Sequence, residues 1–159
     1  MTRRVIPCVL AAVFFVAVSG ELAVAQSPSL VGTWKFNPAK SKYTPGPAPK
    51  NESVTYEASG QGVKYTVTAT EADGKATHLQ GSLVYDGKDY PTTGSADYDT
   101  VATRQLDAYT GETTRKKSGK VVQVVTRVLS KDGKTLTLTT KGSNARGETI
   151  DNVGVYERQ

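Results

Sequence analysis

What most restricts the fold of this chain is a row of short segments in which apolar residues fall on every second position. In Val63-Lys64-Tyr65-Thr66-Val67-Thr68-Ala69 the period is two throughout. That period puts one set of side chains on one face of a strand and the other set on the opposite face. Val54, Tyr56 and Ala58 alternate in the same way with Thr55 and Glu57, and Leu136 and Leu138 alternate with threonines. Further runs cover Leu30–Phe36, Ala76–Tyr85, Thr100–Leu106, Tyr109–Lys117 and Ile150–Tyr156. Val121–Leu129 is apolar on both faces and is expected to be the most buried strand. The links are short and built from turn residues: Gly60-Gln61-Gly62, Asp73-Gly74, Asp86-Gly87, Ser118-Gly119 and Asp132-Gly133. Short links pair each strand antiparallel with the next.

Two segments are long enough to return a strand across a Greek-key sandwich, Asn37–Asn51 and Pro91–Asp97. The expected fold is therefore all-β, a single antiparallel up-and-down meander of about 8–10 strands. Such a meander removes its free edges most simply by closing into a barrel. Four prolines and three lysines from Asn37 to Lys50 exclude a regular strand there. That segment is either a rigid surface crossing or a flap over an open barrel end with Tyr43 facing inward.

The first 25 of the 159 residues read as a cleavable signal peptide. Thr2-Arg3-Arg4 is basic, Val5–Val18 is apolar, and Ala23-Val24-Ala25 precedes Gln26 as a small-x-small cleavage site. About 14 apolar residues are too few to span a bilayer core of about 30 Å. The expected product is a domain of residues 26–159, exported to the periplasm or the medium, and not an integral membrane protein. Its only cysteine, Cys8, leaves with the leader, and His78 is its only histidine. Disulfides and a Cys/His metal site are thereby excluded, and no metal or other cofactor is implied. About 31% of the remaining chain is apolar and 20 residues are threonine. This suits a hollow barrel better than a tightly packed sandwich. Export argues against nucleic acid as a partner, despite a net charge of +5.

Gly32-Thr33-Trp34, at the start of the meander and just after the leader, resembles the Gly-x-Trp opening of lipocalins and their calycin relatives, the fatty-acid-binding proteins included. The layout is similar to that of small bacterial exported proteins of lipocalin-like type. The resemblance implies that Gly32 lets the first strand bend across one barrel end and that Trp34 plugs it. It also implies an arginine against that tryptophan, for which Arg158 and Arg127 both qualify. Fatty-acid-binding proteins hold a ligand carboxylate with an Arg-x-Tyr pair in the last strand. Here Gly154-Val155-Tyr156 keeps the tyrosine and lacks the arginine. Their helical lid is replaced by the proline-rich segment. Asp97-Tyr98 is similar to a second lipocalin motif but has about five strands still to follow.

Tyr56 and Tyr65 sit on the more apolar faces of neighbouring strands, where their hydroxyls suit the polar end of a ligand. Arg104 shares a face with Ala102 and Leu106, and Arg127 shares one with Val121, Val125 and Leu129. A cation on an apolar face calls for a partner or an anionic ligand. Arg115, Lys116, Lys117 and Lys120 form a basic hairpin tip, either a solvated turn or a weak contact with an anionic envelope surface. His78 falls on a polar face, and no Gly-x-Ser-x-Gly elbow is present. Asp86, Asp89, Asp97 and Asp99 are explained by turn formation. The function expected is non-catalytic binding of a small apolar or amphipathic ligand. The alternatives are an envelope or extracellular interaction protein using loops on a β scaffold, and a paired-carboxylate hydrolase.

Overall fold

Alternation becomes strand wherever the sequence carries it. The structure, a computed structural model, describes residues 29–159. The expected leader, with Cys8, lies outside the described residues. Among the described residues the strands are β1 (Gly32–Phe36), β2 (Asn51–Ser59), β3 (Gly62–Thr70), β4 (Ala76–Val84), β5 (Asp89–Thr93), β6 (Thr100–Gln105), β7 (Thr110–Lys117), β8 (Lys120–Leu129), β9 (Thr135–Ser143) and β10 (Thr149–Arg158). Each pairs antiparallel with the next, and β1 pairs with β10, so the sheet closes into a barrel with no free edge. The meander and its closure follow the sequence expectation.

Strand direction sorts the loops by barrel end. β1 begins and β10 finishes at one end, where Trp34 pairs with Arg158. The opposite end carries the β1–β2, β3–β4, β5–β6, β7–β8 and β9–β10 connections. Inward positions make the core: Trp34, Phe36, Val54, Tyr56, Tyr65, Leu83, Val101 and Leu136 are buried together. Fully burying one such side chain contributes about 1.5–3 kcal/mol. Threonines serve both faces. Thr103 and Thr113 are buried inside, with their hydroxyls 3.1 Å apart, whereas Thr66 and Thr68 belong to the outward set of β3.

Three strand expectations need correction. Pro91–Asp97 is not a return between sheets: Pro91 lies within β5, which joins β4 through Gln80 and Gly81 and β6 through Asp89, Tyr90 and Pro91. A proline removes one ladder donor, which a short, sparsely paired strand tolerates. β8 is not buried on both faces, since Val128 and Val121 are exposed on the outside of the barrel. Val121 lies beyond a bulge: Arg115 pairs with Gln123 while Lys116 pairs with Val121, leaving Val122 as the extra residue. That extra residue turns Val122 toward the core and Val121 out of it. Third, the face of β6 that holds Arg104 is the outer one, because Val101 and Thr103 are the buried positions.

Asn37–Lys50 takes up the lane that β1 vacates. After one turn of 3-10 helix at Pro38–Lys40, Lys42 pairs with Val153 and Thr44 accepts from the amide of Asp151. Lys50 then bonds to Thr70 as the chain turns into β2. The prolines fall where no ladder donor is needed.

Candidate ligand cavity

Trp34 closes one end of the barrel. Its ring is fully buried, its indole N–H donates to the Leu30 carbonyl at 2.9 Å, and the Arg158 guanidinium stacks 4.3 Å from the ring centroid. Arg158 also donates to the carbonyls of Gly133 and Val31, each at 2.7 Å, and to that of Ser29. So Arg158, and not Arg127, is the arginine against the tryptophan. Gly32 has φ of 135°, and a methyl there would lie 2.7 Å from the Arg158 guanidinium. This position needs glycine for both its backbone and its space.

Away from Trp34 the interior is hollow, with a cavity of about 380 Å³. That is within the range of about 300–1,000 Å³ usual for small-molecule sites. Its apolar wall includes Val54, Val67, Leu79, Leu83, Val101 and Leu138. Towards the end opposite Trp34 it is rimmed by Tyr43, Glu52 and Glu71 and by the β5–β6 loop from Gly94 to Asp97. Tyr43 packs edge-on against Phe36 with ring centroids 5.9 Å apart, so the proline-rich crossing also supplies part of the wall.

Tyr56, Tyr65, Tyr156 and Arg127 all line this cavity. The Tyr65 hydroxyl bonds Thr92 Oγ1 at 2.8 Å, and Tyr156 donates to Glu52 Oε1 at 2.6 Å. Burial raises the pKa of each phenol, to about 12 for Tyr43 and Tyr56, so they remain neutral donors at ordinary pH. Burial also raises the Tyr65 and Tyr98 phenols, and it drives Tyr156 well above the usual value, helped by the Glu52 charge. Burial pushes the Glu52 carboxyl up as well, against the opposing pull of the Tyr156 hydroxyl and Arg115.

Arg104 is not part of the site. Its side chain is exposed on the outer surface and pairs with Glu112 at 2.6 Å. The basic tip is also smaller than the sequence suggested. The inward set of β7 is Gly111, Thr113 and Arg115, so Arg115 lines the cavity, 4.5 Å above the Tyr98 ring and bonded to Gln123 at 2.9 Å. Lys116 pairs with Asp89 at 2.7 Å, which leaves Lys117 and Lys120 exposed at the turn. His78 is exposed, as its polar face implied. The aspartates serve local structure: Asp86 accepts from Lys88 and Tyr90, Asp97 from Ala145 and Gln123, and Asp99 from Ser118.

Sequence reasoning missed Arg115, Tyr98 and Glu52 as cavity residues. It also missed three inward glycines. Gly81 pairs with Tyr65, and a methyl on it would sit 2.5 Å from that hydroxyl. A methyl on Gly111 would run into the Arg127 guanidinium, and one on Gly154 would lie 3.0 Å from the Tyr156 ring and 3.3 Å from the Tyr43 hydroxyl. The room beside Gly154 is thus taken by two tyrosines. The signal was available, since each glycine sits at an inward position of an alternating run. No family model matches the chain, and no curated protein sequence matches it.

Proposed function

We propose that the protein is a lipocalin-like, non-catalytic carrier, exported by its leader, that binds one small amphipathic molecule inside the barrel. The observation that carries this reading is the cavity of about 380 Å³ inside a barrel plugged at one end by Trp34, with polar groups rimming it at the other. The ligand's apolar body lies among Val54, Leu79, Leu83 and Leu138, and its polar end meets the phenols and Arg115. Outward positions of β3 such as Lys64 and Thr66 are polar, the reverse of a barrel whose apolar band faces lipid. No helix of the described residues is long and apolar enough to cross a membrane.

Native mass spectrometry of the protein purified from its own cells tests the proposal. A stoichiometric small-molecule adduct supports it, as does saturable uptake of a fluorescent fatty probe. A bare protein that takes up no probe moves the assignment to an interaction module. One observation favours a second reading, the paired-carboxylate hydrolase: Glu52 and Glu71 line the same cavity, and Glu52 has the raised pKa that a general acid needs. Turnover of nitrophenyl glycosides or esters that disappears in Glu52→Gln supports it, and no turnover removes it.

A further inference from the structure

Arg127 has an environment that the main cavity does not account for. The residue is only 5% exposed, yet none of the ion pairs among the described residues includes it. Its hydrogen bond is a long one, 3.3 Å from Nη2 to the Tyr85 hydroxyl. No enclosed side-chain nitrogen lacks a partner, so the guanidinium nitrogens that make no bond abut open space. A desolvated cation with no counter-charge is costly, and an anion beside it offsets that cost.

Arg127 borders two open spaces, the main cavity and a smaller one. A second pocket of about 160 Å³ lies at the Trp34 end, lined by Leu30, Tyr85, Tyr109, Gly111 and Leu129, with Arg127 as its wall toward the main cavity. The two groups against the guanidinium, Gly111 and Tyr85, line this pocket and not the larger one. The charge therefore leans toward the Trp34 end. Gly111 is the cradle, since a Cβ there would come within 3.1 Å of Arg127 Cζ and closer still to Nη2.

Size and charge select the occupant. The pocket is smaller than the roughly 300 Å³ at which drug-sized ligands fit. One guanidinium balances one negative charge. Its planar fork matches a planar carboxylate through two parallel bonds. The Tyr85 hydroxyl, which accepts from Arg127, has its proton free to donate. Leu30 and Leu129 suit a short alkyl group. We propose that this pocket binds a small monocarboxylate on Arg127 and Tyr85, independently of what the main cavity holds.

Titration of sodium acetate into the exported protein at constant ionic strength tests this, with sodium chloride and sodium phosphate as comparison salts. The readouts are the thermal midpoint and the Nε–H NMR signal of Arg127. Acetate is expected to raise the midpoint saturably and to shift that signal. Tyr85→Phe removes one hydrogen bond and weakens acetate binding about threefold to tenfold. Gly111→Ala displaces the guanidinium and weakens binding more than tenfold. Tyr85 does not line the main cavity, so in Tyr85→Phe uptake of a fluorescent fatty probe stays as in the wild type. A wild-type protein that takes up no probe refutes the carrier reading and leaves this site standing. Three results overturn the proposal: an equal response to chloride, a preference for phosphate, or acetate binding that both variants leave unchanged, which would mean an adventitious ion only.

Discussion

The bond between Tyr65 and Thr92 offers a quantitative test of the barrel interior. The two hydroxyls lie 2.8 Å apart, both residues are buried, and Tyr65 borders the cavity while Thr92 does not. Tyr65→Phe removes the bond, worth about 1 kcal/mol net, and strands the Thr92 hydroxyl away from water, for a loss of about 2 kcal/mol. Thr92→Val removes the same bond but leaves the Tyr65 hydroxyl able to reach cavity water, for a loss of about 1 kcal/mol. Independent effects would give the double variant a loss of about 3 kcal/mol. Removing both polar groups together is expected to cost only about 1 kcal/mol, a coupling of about 2 kcal/mol. Urea unfolding reads this through the single tryptophan, Trp34. At a slope of about 2 kcal/mol per molar urea, Tyr65→Phe lowers the midpoint by about 1 M and the double variant by about 0.5 M. Additive losses, or a larger loss for Thr92→Val than for Tyr65→Phe, refute both the bond and the hollow space beside it.

Other perturbations test other parts of the barrel. Arg158→Met removes the stack on Trp34 and three donors to backbone carbonyls, and is expected to cost about 1–3 kcal/mol and to red-shift the tryptophan emission. An unchanged spectrum and midpoint would refute that account of the closed end. Glu52 has a pKa raised by burial, so the folded state holds its proton more tightly than the unfolded state. Stability therefore falls as pH climbs from the ordinary value of 4.5 through the raised one, and Glu52→Gln removes that slope. Urea midpoints of the two proteins across about pH 4 to 8 check this, and parallel curves refute it. Arg104→Ala breaks only an exposed pair and is expected to change stability by less than about 0.5 kcal/mol by urea unfolding. A loss several times larger would contradict the outward placement of that face.

How far sequence carries such a fold depends on which force sets each position. Burial of one face imposes a period of two, so β2, β3 and β9 were visible as alternating runs before any coordinates. β5 was not, because a short segment holding Pro91 lacks both length and ladder donors. The face of β6 was misassigned for a related reason: Ala102 and Leu106 outweigh Thr103 in hydropathy, yet Thr103 is the buried residue, satisfied by Thr113. Tyr56, Tyr65, Tyr156 and Arg127 were found because their strands keep phase. Arg115 was lost to an apparent run of surface charge, although successive strand residues alternate faces and put Arg115 on the inward set with Gly111 and Thr113, and Lys116 on the outward one. The inward glycines are the more general lesson, because an empty position on a packed face reserves room for a large neighbour.

The described chain enters and leaves the barrel at the Trp34 end, because an even number of strands returns it to where it started. A tag, surface tether or fused domain joined beyond either Ser29 or Gln159 would hang from the plugged base. Immobilised in that way, the molecule would stand with its open rim facing outward. Its five rim loops could then be lengthened or exchanged without cutting the strands that join the two termini.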